Sequence, residues 1–260
     1  GKTTLCLNFM GHVLKSGAGV VFFSLEMPAE QIMMRMLADK TSIPLQEIMT
    51  ASLDDEKLAH FSHACSEFSH AKLFVHDSGY VNIHQVRTQL RKLKSAHPEI
   101  SLCVIDYIGL MMSTNNYADR HIQIAEISRG LKLLARELDM PIIALSQLNR
   151  GLEARANKRP MLSDLRESGA IEQDADIILF VYRHEVYLEQ EENEKKSKAA
   201  AEGKEYKSEH VFNKLQENAE IIVGKNRNGE VGSIDVLFQK QYSRFCDIAT
   251  TPVQSTEFKE

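Results

Sequence analysis

Short β-rich apolar runs alternate along this chain with segments whose apolar residues recur at helical spacing, and this alternation constrains the possible folds most. The helical spacing is clear, for example, in Ile83, Val86 and Leu90. A chain that alternates strands with helices builds a mainly parallel, twisted sheet with helices on both faces. We therefore predict an α/β fold, with strands at residues 20–25, 72–76, 101–106, 142–145, 177–182 and 219–223, the last continuing the same sheet.

Size and composition favour one large domain over two small ones. The chain has 260 residues, of which 43% are hydrophobic, and this is enough to bury a full core. We predict one domain over residues 1–250 and a C-terminal tail over residues 251–260. The longest apolar runs, such as residues 177–182, are far shorter than the ~20 residues of a membrane helix, so no membrane span is expected.

Charge and cysteine spacing narrow the functional classes. The net charge of −5 excludes a uniformly basic nucleic-acid-binding protein, but a local basic strip is compatible with it. The 4 cysteines are scattered without Cys-x-x-Cys spacing, and two of them lie in apolar segments. This pattern indicates reduced, buried thiols in a cytosolic protein.

Gly1, Lys2, Thr3 and Thr4 match the closing half of the phosphate-binding loop pattern G-x-x-x-x-G-K-[ST]. In that loop, backbone N–H groups and a helix N-terminus bind phosphate. The residues that follow have helical spacing, so the helix required by the pattern is predicted here. The triplet alone is equally compatible with a helix start that has no functional role.

Three polar side chains come at or directly after the ends of predicted strands. Glu26, Asp106 and Gln147 occupy these positions, and ligands of open parallel sheets gather at the carboxyl ends of strands. Glu26 is a candidate catalytic residue, Asp106 a candidate Mg²⁺-associated carboxylate, and Gln147 a candidate sensor of a γ-phosphate or its attacking water. The alternatives are a surface glutamate at position 26 and an ordinary capping aspartate at position 106.

Charged segments follow in the second half of the chain. Residues 150–166 form a mobile basic loop in our interpretation, which could contact a nucleic-acid backbone or simply be solvated. Residues 185–217 are rich in Glu and Lys, and they predict a projecting, solvated helical insertion without a catalytic role. Residues 124–138 have apolar residues at helical spacing, and the basic side chains of Arg129, Lys132 and Arg136 on the polar face of this predicted helix are interpreted as solvated.

A hairpin is predicted near the C-terminus. Asn228 and Gly229 form a strong hairpin signal, and alternating apolar residues follow it. Lys225 and Arg227 are two residues apart, so both side chains can lie on one face of the preceding strand. Two interpretations stay open: contact with a phosphate, or the solubility that charges give to a strand edge.

Six motifs occur together in the order seen in one family of motor proteins. These motifs are Gly1 to Thr4, Phe23 to Met27, Val104 to Tyr107, Leu145 to Arg150, Asp164 to Asp176, and Gly224 to Arg227. In this order, from residue 1 to about residue 248, the chain resembles the motor domain of the bacterial replicative DNA helicases of the DnaB family. The given sequence departs from the family pattern in that it includes only the closing half of the phosphate loop, does not include the N-terminal domain that primase is expected to bind, and carries the charged insertion.

The resemblance implies a RecA-like P-loop NTPase core with a C-terminal antiparallel hairpin. It implies ATP and Mg²⁺ as ligands, with ATP hydrolysed between subunits of a homohexameric ring that moves along single-stranded DNA and unwinds duplex. The implied roles are phosphate binding by Gly1, Lys2, Thr3 and Thr4; Mg²⁺ binding by Thr3 and, through water, Asp106; activation of the attacking water by Glu26; γ-phosphate sensing by Gln147; contact with a neighbour's ATP by Lys225 and the arginine finger Arg227; and contact with DNA by Arg166, Glu167 and Gly169.

The resemblance also implies partners and a location. Primase and a helicase loader are the expected protein partners, and the expected location is the bacterial cytoplasm, at the replication fork in the nucleoid. An acidic subunit can serve this function because six copies bring their few basic groups to one channel.

Three other functions remain open at this stage. A strand-exchange recombinase of the same fold would also hydrolyse ATP on DNA, but it would pair homologous strands without unwinding duplex. A non-motor ATPase or phosphotransferase would show no DNA-stimulated hydrolysis. An adaptor with an inactive site would show no turnover at all.

Overall fold

The structure is a computed structural model, and it describes residues 1–113, 119–165, 169–202, 206, 208, 210 and 212–248. Helices and strands alternate through the first part of the chain, as predicted. The helices are α1 (Lys2–Lys15), α2 (Ala29–Thr41), α3 (Leu45–Met49), α4 (Asp55–His70), α5 (Ile83–Ala96), α6 (Arg120–Glu137), α7 (Gly169–Asp174) and α8 (His184–Ala201). The strands are β1 (Gly19–Ser24), β2 (Leu73–His76), β3 (Ile100–Asp106), β4 (Ile142–Ala144), β5 (Ile177–Tyr182), β6 (Gln216–Asn226), β7 (Gly232–Gln239) and β8 (Arg244–Asp247).

The first four strands form a parallel sheet in the order β2-β1-β3-β4. Its register pairs Ser24, the last residue of β1, with Asp106, the last residue of β3. The sheet continues locally past these ends, because the Leu25 N–H donates to the Asp106 carbonyl oxygen at 2.7 Å. The carboxyl ends of the strands therefore meet at one edge, as a parallel arrangement requires.

The core lies on both faces of this sheet because alternate residues of β1 point in opposite directions. Val21 and Phe23 pack in a cluster with buried residues of α5 and α6. Val20 and Phe22 pack on the other face, with buried residues of α1 and α2. All six residues of β1 are buried, which explains its continuous apolar sequence. The predicted α/β class is confirmed.

Polar residues begin two of the helices. The Asn82 side chain accepts from the Gln85 N–H at 2.9 Å, and the Gln85 side chain accepts from the Asn82 N–H at 2.9 Å, which forms a capping box at α5. Asp54 accepts from the Lys57 N–H at 2.8 Å and caps α4. These side chains satisfy backbone N–H groups that the first turn of each helix leaves without a partner inside the helix.

The last four strands form a second, antiparallel sheet in the order β5-β6-β7-β8. The predicted hairpin is confirmed as β6 and β7, which pair from Gln216 with Gln239 to Val223 with Gly232. The expectation that residues 219–223 continue the parallel sheet is wrong. Those residues hydrogen-bond to β5 and β7 in antiparallel ladders, so their backbone groups are satisfied within the second sheet.

The charged insertion is helical in α8, but it does not project freely. Glu192 is 8% exposed, and its carboxylate accepts from the His210 N–H at 2.8 Å and from the Ser208 hydroxyl. Lys240 lies 3.5 Å from the Glu185 carboxylate and thereby ties the first turn of α8 to the second sheet. The predicted helix is confirmed. Residues 193–198 are exposed, as expected of a solvated helix, but the first turn of α8 and Glu192 are tied to other segments.

The segment interpreted as a mobile basic loop is instead tied down by ion pairs. Arg155 donates to both carboxylate oxygens of Asp164 at 3.0 and 2.8 Å, and Arg159 donates to Glu220 at 2.8 Å. Lys158 pairs with Glu191 of α8. These cations therefore bind carboxylates of their own chain, and two short 3₁₀ helices, Arg150–Ala154 and Leu162–Asp164, give the segment regular structure.

All four cysteines are free, as predicted. Cys6 and Cys103 are buried, whereas Cys65 and Cys246 are partly exposed. Burial raises the pKa of the Cys6 thiol to about 12, and it also raises that of Cys103. Both buried thiols are therefore protonated and unreactive at neutral pH.

Candidate active site

The beginning of α1 and the end of β3 meet at one point. The Thr3 hydroxyl donates to the Asp106 carboxylate at 2.6 Å, although the two residues are 103 positions apart. Asp106 is 2% exposed, so this carboxylate is held in the interior, where a hydrogen bond to it is strong. The structure thus brings together the two residues for which Mg²⁺ binding was predicted.

Lys2 is the first residue of α1 and precedes Thr3 directly along the chain. Burial lowers the pKa of the Lys2 ammonium, while the negative charges of Asp106 and Glu26 act in the opposite direction. The ammonium lies 5.7 Å from the centre of the Tyr107 ring. A half-buried cation at the N-terminus of a helix is suited to binding an anion, since the helix dipole and the ammonium attract it together.

The N-terminus of α1 has no side-chain hydrogen bond capping it within the described residues. Gly1 occupies the cap position, and its carbonyl oxygen accepts from the Leu5 N–H at 3.0 Å. A Cβ atom at Gly1 would lie 3.1 Å from Val181 and 3.3 Å from Phe245, so this position has little room for a side chain. The N–H groups of the first turn are those that the predicted phosphate loop uses.

A buried polar contact fixes the orientation of α1. Asn8 is 6% exposed, and its side-chain amide donates to Asp39 at 3.0 Å while its oxygen accepts from the Phe245 N–H at 2.9 Å. One side chain therefore joins α1 to both α2 and β8. Sequence analysis missed Asn8, and the signal that could have found it is an amide on the apolar face of a predicted helix.

Glu26 and Gln147 lie at the same edge of the parallel sheet. Glu26 is two residues beyond β1 and exposed, and its charge acts on Lys2. Gln147 is three residues beyond β4 and is also exposed. Backbone contacts hold this corner together, since the Leu145 N–H donates to the Ile105 carbonyl at 2.9 Å. Both side chains are thus available to a ligand placed at this edge.

Lys225 lies on β6 of the second sheet and Arg227 directly follows that strand, and both side chains contact the end of α7. The Lys225 ammonium donates to the Ala175 carbonyl at 2.7 Å and also to that of Glu172. The Arg227 guanidinium donates to the Gln173 carbonyl at 3.0 Å and lies 3.1 Å from an Asp176 carboxylate oxygen. Both side chains reach the same segment, as expected for residues on one face of a strand.

Of the residues predicted to contact DNA, only Gly169 is among the described ones, and it is the first residue of α7. Arg166 and Glu167 lie outside the described residues. In the part of the chain that the structure covers, no group of three or more His, Cys, Asp or Glu side chains could hold a metal by itself. A Thr hydroxyl beside a carboxylate instead suits Mg²⁺, which takes oxygen ligands and shares its coordination with phosphates and water.

Asp174 and Asp176 have no role predicted from the sequence, and the sequence interpretation of Lys132 is a solvated side chain. The structure pairs Lys132 with Asp176, and it places Arg129 3.3 Å from Asp174. The side chain of Lys132 is 21% exposed, so the solvated interpretation is wrong for this residue. The signal available in the sequence was the pair of aspartates that ends the motif at residues 164–176.

A match to a protein-family model identifies the family of this chain. Residues 1–247 match the model of the DnaB-like helicase C terminal domain. The chain belongs to this family. The site described above therefore lies in a DnaB-like helicase C-terminal domain, and the resemblance drawn from the motifs is confirmed.

Individual relatives agree with the family match. The chain is 46% identical to the replicative DNA helicase DnaB of Helicobacter pylori, over 95% of this chain and 53% of that protein. It is 42% identical to the DnaB of Pasteurella multocida, over 96% of this chain and 49% of that protein. The chain thus spans about half the length of the curated relatives it matches.

A solved structure of the same family has the same fold. It is that of a DnaB-like replicative helicase, studied together with its interactions with primase. Its TM-score is 0.82 at 34% identity, with 95% of this chain and 54% of that chain covered.

None of the helices in the described ranges combines the length and apolar content that a membrane crossing requires.

Proposed function

We propose that this DnaB-like domain is the ATP-hydrolysing motor of a replicative DNA helicase. The observation that carries the proposal is the 2.6 Å hydrogen bond between Thr3 and Asp106 at the start of α1. It joins a hydroxyl and a carboxylate at the residue next to Lys2, and the Asp106 charge also acts on the Lys2 ammonium. A lysine, a hydroxyl and a carboxylate are the groups that P-loop enzymes use to bind a nucleoside triphosphate with its metal. Family membership supports the same function.

The roles of the residues follow from the charge that develops during phosphoryl transfer. The N–H groups of Gly1, Lys2, Thr3 and Thr4 bind phosphate oxygens, and the Lys2 ammonium neutralises the β- and γ-phosphates. Thr3 and Asp106 would hold Mg²⁺, Thr3 through its hydroxyl and Asp106 by way of water. The ion, when bound, neutralises charge on the phosphate oxygens.

Glu26 accepts a proton from the attacking water, and its exposed carboxylate at the sheet edge is free to reach a ligand. Gln147 hydrogen-bonds to the γ-phosphate and responds to its loss. The charges of Glu26 and Asp106 both act on the partly buried Lys2 ammonium in the direction that keeps it protonated, and a protonated ammonium attracts a polyanion.

The proposed site is shared between subunits of a homohexamer. Lys225 and Arg227 reach the ATP of a neighbouring subunit, where Arg227 stabilises the charge of the transition state as an arginine finger. The Arg227 side chain is 47% exposed, so it can contact another chain. A ring places six copies of the DNA-contacting residues Arg166, Glu167 and Gly169 around one strand of DNA, with binding that depends on salt and little on sequence.

The wider proposal covers domain limits, partners and location. We assign the motor to residues 1–250, with the charged insertion at residues 185–217, and a tail to residues 251–260, which lies outside the described residues. Primase is a proposed partner because a relative of known structure was solved in a study of that interaction. A helicase loader is proposed on family grounds, and the proposed location is the bacterial cytoplasm, at the replication fork.

The experiment that tests this function is ATP hydrolysis by the full protein with and without single-stranded DNA, at two salt concentrations. We expect DNA to stimulate hydrolysis, and the stimulation to weaken at higher salt because phosphate contacts release counterions. Glu26→Gln should abolish hydrolysis while it spares ATP binding. Glu30→Gln, which alters an exposed glutamate in the first turn of α2, is the matched control and should leave turnover unchanged.

Three outcomes would count against the proposal. Normal turnover in Glu26→Gln would remove Glu26 from the mechanism. Hydrolysis without any response to DNA would favour a non-motor ATPase, and DNA-stimulated hydrolysis without unwinding of a forked duplex would favour a recombinase of the same fold.

A further inference from the structure

Three cations from two different elements converge on residues 172–176, at the end of α7. Lys132 comes from α6, whereas Lys225 lies on β6 and Arg227 directly follows it. Lys225 donates to two carbonyl oxygens of this segment and Arg227 to a third, so these two cations meet the negative end of the α7 backbone. Asp176 is the carboxylate at the centre of this group.

Asp176 holds Arg227 in two ways. Its carbonyl oxygen accepts from the Arg227 backbone N–H at 2.8 Å, and its carboxylate oxygen Oδ1 lies 3.1 Å from the Arg227 guanidinium. The Gln173 carbonyl accepts from the other end of the same guanidinium at 3.0 Å. A guanidinium carries five N–H donors in a rigid plane, so contacts that fix the plane leave donors for a phosphate.

The second oxygen of Asp176 is occupied by a different cation. The Lys132 ammonium donates to Oδ2. The hydrogen bond from Lys132, together with the charges of Lys132, Arg227 and Lys225, lowers the pKa of Asp176, so the carboxylate is ionised at neutral pH. Because Lys132 neutralises this charge, Asp176 can orient Arg227 without competing strongly with phosphate for it.

The exposure of these groups argues against a purely structural role. The side chains of Asp176 and Arg227 are 52% and 47% exposed. Ion pairs this exposed contribute little to folding, because water screens the charges and the side chains lose freedom. A contact that contributes little to stability but fixes the plane of a guanidinium instead determines the orientation in which that guanidinium meets a ligand.

From this geometry we infer that Asp176 is a positioning residue for Arg227, which it aligns for contact with the ATP of the neighbouring subunit while Lys132 balances its charge. The inference rests on the proposed function of Arg227. It concerns a residue that touches neither ATP nor the reacting atoms, and acts through Arg227 alone.

The test measures ATP hydrolysis by the full protein carrying Asp176→Asn. We expect kcat to fall about tenfold to a hundredfold, the usual cost of misplacing a group that acts in the transition state, with KM for ATP within about twofold of wild type. Asp176→Glu, which keeps the carboxylate, should restore part of kcat. In an Arg227→Ala background, Asp176→Asn should cause no further loss, because the group it aligns is gone.

Asp174→Asn is the matched control. Asp174 lies two residues away and also binds α6, accepting from the Ser128 hydroxyl at 2.9 Å and pairing with Arg129. It should leave kcat close to wild type.

The outcomes separate this inference from the function on which it rests. If Arg227→Ala itself has no effect, the proposed role of Arg227 is wrong. If Arg227→Ala abolishes turnover but Asp176→Asn leaves kcat unchanged, or lowers it no more than Asp174→Asn does, the positioning role is wrong. A rise in kcat would show that Asp176 restrains Arg227, which also overturns the inference.

Discussion

Replacing Thr3 by valine tests the contact between α1 and β3 directly. Thr3→Val removes the hydroxyl that donates to Asp106 at 2.6 Å, while side-chain shape and helix propensity change little. The substitution leaves the carboxylate of Asp106, which is 2% exposed, without this donor. Thr3→Ser retains a hydroxyl and is the matched control.

The expected cost follows from the chemistry of this hydrogen bond. A hydrogen bond to a charged group contributes about 1.5–3 kcal/mol, so the unfolding equilibrium constant of Thr3→Val should rise about 10- to 150-fold. In an Asp106→Asn background the acceptor is neutral, and the same change should then cost only about 0.5–1.5 kcal/mol. The difference between the two costs measures the charge-assisted part of the contact.

Urea unfolding of the four variants, without nucleotide, measures these free energies. ATP hydrolysis provides a second readout, because the proposed Mg²⁺ ligand is the same hydroxyl: Thr3→Ser should retain turnover and Thr3→Val should lose it. Equal unfolding free energies for the valine and serine variants would refute the reasoning on stability. Equal turnover for the two would refute the metal-binding role of Thr3.

Two further predictions concern stability and titration. A Cβ at Gly130 would lie 2.5 Å from the Ile83 side chain. Such overpacking costs about 1–3 kcal/mol, and alanine gains about 1 kcal/mol over glycine in a helix, so Gly130→Ala should destabilise the fold by up to about 2 kcal/mol. At Gly11 an added Cβ meets no described atom within 4 Å, so Gly11→Ala should instead stabilise by about 0.5–1 kcal/mol; urea unfolding of both variants checks the opposite signs. The pKa of Asp176 is lowered chiefly by its hydrogen bond from Lys132, so its stabilising contribution is present above the unfolded pKa of about 3.9 and is lost as pH falls through the folded pKa. NMR titration should find the pKa closer to its ordinary value in Lys132→Met, and an unchanged value would contradict this cause.

Local sequence patterns predicted much of the fold because the strands are short and continuously apolar. β1 is buried at all six positions, and its sequence therefore lacks the alternation of a half-exposed strand. The register of Ser24 with Asp106 follows from the parallel sheet once these strands are recognised. Pairing in the second sheet was harder to predict, because residues 219–223 are compatible with either a parallel or an antiparallel neighbour.

The candidate site was predictable where a motif marks it, and less so where contacts come from distant segments. Gly1, Lys2 and Thr3 form a recognisable pattern, and Asp106 ends an apolar run. By contrast, Lys132 lies on the polar face of α6, where a solvated lysine and a paired lysine have the same sequence pattern. Only the packing of α6 against α7 brings Lys132 to Asp176, 44 positions away. Glu192 was missed for the same reason, since its partners Ser208 and His210 lie 16 and 18 positions further along the chain.

The most direct test of the shared site mixes two variants of the full protein that are each inactive. Glu26→Gln lacks the catalytic base of its own site, and Arg227→Ala lacks the group that it supplies to a neighbour's site. In a ring with head-to-tail interfaces, random mixing at equal amounts places an intact Glu26 opposite an intact Arg227 at about a quarter of the interfaces. We predict that ATP hydrolysis reappears in the mixture, at up to about that fraction of the wild-type rate. A mixture that stays as inactive as its two components would contradict a site completed by the neighbouring subunit.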